Sequence, residues 1–254
     1  MSVMTTVQSI YEFLDSFAPF DTAEEFDNVG LLLGDPDTEV KHCLIALDVT
    51  ESVIDEAVEH GCNLIVSHHP VIFYPLRAVE SGSLVARLIR AGISVISAHT
   101  NLDKAPGGVN DALAAALGLQ DVQSFEGSDG MGRIGTLPEE CEPDAFAHLV
   151  KESLSAAGVR YVGGKHPVKT VAVLGGGGEF ALQAALDAGA DALVTGEAKH
   201  HVLLEADAKG ATFIDAGHFD TENVVCPALQ QMLKKQFPEI RAMVSHCENP
   251  VRYI

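Results

Sequence analysis

Apolar residues Met4, Val7, Ile10, Tyr11, Leu14 and Phe17 recur at three- and four-residue spacing, which predicts an amphipathic helix over 4–18 that stops before Pro19. Residues 24–37 (EEFDNVGLLLGDPD) set the turn-forming pair Asp27-Asn28 and two glycines around a leucine triplet: loop, short strand, turn. Residues 42–49 (HCLIALDV) read as a strand, 50–60 as a helix with Thr50 or Ser52 near its cap, and 63–67 as a second strand. A helix over 83–91 and a strand over 93–98 (ISVISA) complete β-α-β-α-β, the signature of a parallel sheet covered by helices. A helix over 111–117 follows. The glycine-dense stretch 127–135 (GSDGMGRIG) reads as a linker or hinge, and 144–157 as a helix.

A second βαβ pattern then begins: strand 171–174, turn 175–178, helix 179–187, strand 192–195. Its sequence echoes the first. EHGCNLIVS (59–67) parallels DAGADALVT (187–195), and GISVISAH (92–99) parallels GATFIDAGH (210–218). Both copies run into a histidine followed four residues later by an acid, His99/Asp103 and His218/Glu222. The chain is therefore expected to be an internally duplicated α/β protein. Its two related lobes, 1–124 and 125–254, would face each other, with the C-terminal part packing back on the first and a metal site in the cleft between them.

The strand over 63–67 empties into His68-His69-Pro70. Ligands gather where strands of open α/β sheets end. Consecutive strand residues point to opposite faces, so His68 and His69 serve one site only if the strand has already broken, or else they reach two ions. Imidazoles and carboxylates at strand ends, without thiolates beside them, form a ligand set for zinc, iron(II), manganese or cobalt. If Glu222 bridges and His68, His69, Asp103 and His218 are shared out, two ions would sit about 3.5–4 Å apart and could activate water. The plainer alternative is two strand-to-helix junctions in which Asp103 and Glu222 favour the positive helix N-terminus. Four-residue spacing lets His218 and Glu222 straddle the first turn of a helix expected over 223–233. Gly175–Gly178 reads as a tight turn or as a phosphate cradle of backbone amides. Glu197, His200 and His201 also follow a strand, as outer-shell or proton-transfer groups or as a solvated helix start.

Composition narrows the classes. With 254 residues, 47% of them hydrophobic, the chain can bury one large core or two ordinary ones. The N-terminus lacks a basic segment before an apolar core, and no apolar run approaches the ~18–20 residues that span a bilayer, so the expectation is a cytoplasmic, membrane-free protein. Five cysteines without a C-x-x-C pair argue against a disulfide framework or a thiolate zinc site, and read as small buried hydrophobes. A net charge of −20 repels phosphodiester backbones, and no nucleic-acid partner is expected.

SHHP (67–70), AHTNLDKAPGGVNDALAAALGL (98–119), GMGRIG (130–135), VLGGGGEF (173–180), VTGEAKHH (194–201) and DAGHFDTE (215–222) together resemble the Nif-three-like dinuclear metal-centre family, often labelled GTP cyclohydrolase I type two, over nearly the whole chain and in its short form. The resemblance implies two divalent ions per chain, held by His68, His69, Asp103, His218 and Glu222, with His99 beside the site. It also implies a ring-shaped homohexamer around an inner cavity. Phe26 stands where the family more often has Trp, a difference in the pocket wall. The expected function is metal-dependent hydrolysis of a small nucleotide-like or heterocyclic substrate, a carbon–nitrogen bond or a phosphoester, with His201 or Glu197 passing the proton. The alternative is a metal-binding or metal-delivering protein, or an assembly scaffold, without turnover.

Overall fold

The computed structural model describes residues 4–254, whose contacts divide the chain into two units. The first runs to Pro106 and takes back Cys226–Glu248; the second is Gly107–Val225 with Asn249–Ile254. The boundary thus falls at Pro106/Gly107 and not at residue 124. The reason is packing: the helix after Gly107 lies on strands of the second sheet, and residues 120–124 pair with one of them.

The first unit opens with α1 (Val7–Phe17), shorter than the predicted 4–18 because a capping box between Thr6 and Ser9 fixes its start. Then come β1 (Gly30–Leu33), β2 (His42–Ala46), α2 (Glu51–Glu59), β3 (Leu64–Ser67), α3 (Leu84–Ala91), β4 (Ser94–Ser97) and the short α4 (Thr100–Lys104). Thr50 caps α2 through Val53 N, and Ser83 caps α3 through Ala86 N. β2, β3 and β4 are parallel neighbours, and all four β3 residues are buried, which is why their run reads as continuously apolar. β1 lies antiparallel on β4, so the sheet is mixed, not purely parallel. Leu44, Ile65 and Val95 meet α2 and α3 through Val53, Ile54, Ala57 and Leu88. Each such side chain taken fully out of water contributes roughly 1.5–3 kcal/mol.

The second unit contains α5 (Val109–Ala116), β5 (Gln120–Ser124), β6 (Arg133–Cys141), α6 (Pro143–Ser153), β7 (Arg160–Val162), β8 (Val168–Leu174), α7 (Leu182–Asp187), β9 (Ala192–Thr195), α8 (His200–Lys209), β10 (Thr212–Asp215) and α9 (His218–Glu222). β8, β9 and β10 are parallel, with β7 antiparallel beside β10. From α6 to α9 this repeats the order and pairing of α1 to α4, which is the topological form of the sequence echo. Gly92 and Gly210 occupy the same place in the two copies, left-handed C-caps at φ 67° and 69° that turn a helix into the third parallel strand. β6 and β5 extend the second sheet beyond β8.

The stretch 127–135 is not a hinge. Arg133, Ile134 and Gly135 belong to β6 and pair with both β5 and β8. Ser128 is buried, and the buried Arg133 guanidinium donates to Asp111 and to the carbonyls of Gly130, Met131 and Gly132. A side chain at Gly132 would run into the Phe125 ring, so this glycine serves close packing. The helix predicted over 179–187 begins as a 3-10 turn, Glu179–Ala181, before α7.

The chain ends with α10 (Val225–Gln236) and β11 (Arg241–Val244), which pairs parallel with β2 and completes the first sheet in the order β1-β4-β3-β2-β11. Cys43, Cys62 and Cys226 are buried, and burial pushes the Cys62 thiol up to about 11; Cys141 and Cys247 are half-buried. Among the described residues no helix is long and apolar enough to cross a membrane.

Candidate metal centre

In the first unit the register of three strands builds the site. Ala46, Ser67 and Ser97 stand side by side on β2, β3 and β4, and two residues beyond each come Asp48, His69 and His99. The chain must turn at the end of β3 for His68 and His69 to converge, and Ser67 holds that turn. Its hydroxyl bonds the Ser97 hydroxyl at 2.7 Å and donates to the His69 carbonyl at 2.9 Å. The strand has therefore broken before the histidine pair, and the two rings lie 5.0 Å apart instead of on opposite faces.

His99 closes the group, with ring centroids 5.1 Å from His68 and 5.5 Å from His69. Each of the three imidazoles is held by its inner nitrogen. His68 Nδ1 donates to the Ala98 carbonyl at 2.9 Å, His69 Nδ1 to Asp48 Oδ1 at 2.7 Å and His99 Nδ1 to Asp27 Oδ1 at 2.8 Å. Acceptors on all three Nδ1 atoms fix the tautomer with the lone pair on Nε2, the state a metal requires. One ligand atom from each ring lies within 4.8 Å of the other two. Asp103 of α4 brings Oδ1 to 3.7 Å from His68 Nε2. Three neutral imidazoles and a carboxylate, without thiolate, fit a first-row divalent ion. His99, expected beside the site, lies in one group with His68 and His69.

In the second unit the same register puts Gly176, Glu197 and Gly217 two residues beyond the aligned Leu174, Thr195 and Asp215. His218 opens α9, which is its own short helix and not the first turn of α10. His218 Nδ1 donates to Glu197 Oε1 at 2.9 Å, while its Nε2 lies 3.0 Å from Oε2 of the buried Glu222. The glycine run is a tight turn. Gly175 N donates to Asn110 Oδ1, Gly176 N to Thr221 Oγ1 and Gly178 N to Thr195 Oγ1, so these amides are spent inside the unit and the phosphate cradle is set aside. Glu197 is a positioning partner of His218, while His200 and His201 are exposed in the first turn of α8.

Sequence reasoning passed over Asp27, Asp48 and Gly176. The Asp27 side chain is fully covered. It accepts from His99 Nδ1, from Thr100 N at 3.0 Å and from Thr100 Oγ1 at 2.5 Å. Burial pushes its carboxyl up, but the hydrogen bonds from His99 and Thr100 outweigh burial and hold it well below its ordinary value of 3.8. A carboxyl lowered in the folded chain stabilises fully above its unfolded value, and that contribution is lost as pH falls through the folded one. Asp27→Asn is expected to cost about 1–3 kcal/mol at neutral pH. The deficit should shrink below roughly pH 4, where the wild-type carboxylate begins to lose its advantage. Metal affinity should fall about 10–100-fold, since His99 loses its orienting acceptor. Urea melts at pH 7 and pH 3, with a zinc competition titration, check both; an equal deficit at the two pH values removes the carboxylate from the account.

The family model described as Duf34/NIF3 (NGG1p interacting factor 3) matches residues 5–250. A GTP cyclohydrolase 1 type 2 homolog of Clostridium perfringens is 33% identical, over 98% of this chain and 99% of its own. A Staphylococcus aureus hypothetical protein of known structure is 31% identical and superimposes with a TM-score of 0.93, covering 99% of this chain and all of its own. A Bacillus cereus protein related to NIF3 is 27% identical, with a TM-score of 0.92 and complete coverage of both chains.

Proposed function

The chain belongs to the Duf34/NIF3 family, and on that footing we propose that it holds two divalent ions through His68, His69, Asp103, His218 and Glu222 and hydrolyses a small heterocyclic or nucleotide-like molecule. One observation carries this reading: His68 and His69 converge with His99 beside them, and every Nδ1 is tied to an acceptor, an arrangement that turns Nε2 toward a metal. The shared name of its relatives, GTP cyclohydrolase 1 type 2 homolog, points to a ring carbon–nitrogen bond as the target. When bound, a pair of divalent ions supplies an acidified water and positive charge against the leaving atom. The chain's own groups hold and orient. Asp27, Asp48 and the Ala98 carbonyl fix three imidazoles and Glu197 fixes His218, which leaves the exposed His201 as the second of the two proton-passing candidates.

Metal-reconstituted protein should turn over a substrate from a panel of GTP, cyclic amides and phosphoesters. His68→Ala and His218→Ala should abolish that activity, and His201→Ala should keep the metal and lose roughly 10²–10⁴-fold in rate. A second reading, metal holding without turnover, rests on the same donors and on the engagement of Glu197, one of the two acid–base candidates, with His218. It takes over if the whole panel stays intact with both metal positions filled.

We also propose a cytoplasmic ring of six copies. A chain of net charge −20 repels its copies, so apolar contacts must hold such a ring and added salt should favour it. Light scattering from low to high salt checks this, and a monomer at every ionic strength refutes it.

A further inference from the structure

Exposed aromatic side chains gather beside the imidazole cluster of the first unit. Phe26 is 65% and Tyr74 75% exposed. Phe73, half-buried between them, lies 6.3 Å from the Phe26 ring, 4.9 Å from Tyr74 and 6.3 Å from His99. Interplanar angles of 46°, 89° and 75° mean that none of these rings stacks flat on another. Large apolar surface left in water needs a reason, and the backbone here is tied down at several points. Asp27 is pinned to His99 and Thr100, Glu24 N donates to Thr100 Oγ1 at 2.9 Å, and Asn28 Nδ2 donates to the Ile72 carbonyl at 2.5 Å. The bonds that orient a candidate ligand histidine therefore also hold the segments that carry Phe26 and Phe73.

We infer that Phe26, Phe73 and Tyr74 form a stacking platform for a planar bicyclic heteroaromatic ring, of the purine or pteridine class, delivered to the imidazole cluster. Aromatic side chains with two χ angles each lose little entropy on binding, and a π-face accepts any flat heterocycle. The platform is continuous with the cluster through the Phe73–His99 contact, so a ring seated on it lies beside the proposed metal ligands. Arg77, three residues beyond Tyr74 in the same loop, is an exposed cation in a chain that is otherwise strongly acidic. The substrate class deepens the hydrolase reading and rests on it for the reacting bond, while the stacking itself requires no turnover.

The chain has no tryptophan, so Phe26→Trp makes a single-tryptophan protein whose emission reports on the platform. In the metal-loaded protein, guanosine monophosphate and free pterin should quench that emission saturably, and ribose 5-phosphate should not. Adding Tyr74→Ala should weaken binding about tenfold, the loss of one stacking partner, and Phe73→Leu should do at least the same. The proposal is overturned if neither ring compound quenches saturably, if ribose 5-phosphate quenches as well, or if Tyr74→Ala and Phe73→Leu leave the titration unchanged. It is also overturned if Tyr74→Ala lowers the mass in light scattering, which would make the patch a contact between copies. Saturable quenching that persists while the substrate panel stays intact keeps the platform and rejects the hydrolase reading, so the two fail separately.

Discussion

If Glu222 is the carboxylate that would serve both of the proposed ions, Glu222→Gln should leave purified protein with almost no metal, while Asp103→Asn should keep about half of it. The asymmetry follows from how each acid is held. Glu222 is buried, its Oε2 lies 3.0 Å from His218 Nε2, and its other oxygen lies where a Cβ on Gly176 would stand. Gln keeps the shape and removes the charge, so what is lost is donor strength and not packing. Asp103 offers Oδ1 beside His68, whose grouping with His69 and His99 does not include it. Metal content by elemental analysis, with circular dichroism to confirm folding, separates the two variants. Equal loss from both would take the bridge away from Glu222.

The buried parallel strands were readable because their environment writes itself into composition. β3 and β9 are short apolar runs, buried at every position, and each lies between two parallel neighbours. The outer strands carry no such mark. All five residues of β5 are exposed and β7 is the three residues Arg160–Val162, while the inner strand β6 holds Pro138 where its register with β8 shifts. Their pairing partners make them strands, and a local window contains no partner. The same reasoning explains the misread glycines of 127–135, whose crowding against Phe125 and Ala184 exists only once the chain is folded.

The donors were more legible than the groups that aim them. His68, His69, His99 and His218 follow apolar strands, where imidazole is conspicuous. Asp27 sits in a loop beside Asn28, the commonest setting for a turn-forming acid, and nothing local distinguishes it. Asp48 becomes meaningful only through the register that sets Ala46, Ser67 and Ser97 side by side, which places it level with His69 and His99. In the second unit that level is occupied by Gly176, Glu197 and Gly217, so the two copies share a frame and not a ligand set.

Gly176 is where that difference is most sharply enforced. Its φ of +61° is left-handed, which costs an alanine about 1–2 kcal/mol, and a Cβ there would fall on Glu222 Oε1 and within 3.2 Å of His218 Nε2. The turn cannot easily yield, because Gly176 N donates to Thr221 Oγ1 at 3.1 Å and its carbonyl accepts from Gly196 N at 2.9 Å and from Thr195 Oγ1 at 3.1 Å. The carboxylate must move instead. Gly176→Ala is therefore expected to lose metal nearly as fully as Glu222→Gln, although no donor atom has changed, and to be destabilised by about 2–4 kcal/mol from strain and overpacking together. Gly177→Ala is the control. Gly177 is outside the positive-φ set, and the nearest atom to its Cβ would be Glu179 Oε2 at 4.0 Å, so its melting temperature and metal content should match wild type. If Gly176→Ala instead binds metal and melts like Gly177→Ala, the turn does not set the position of Glu222, and the carboxylate owes its place to α9 alone.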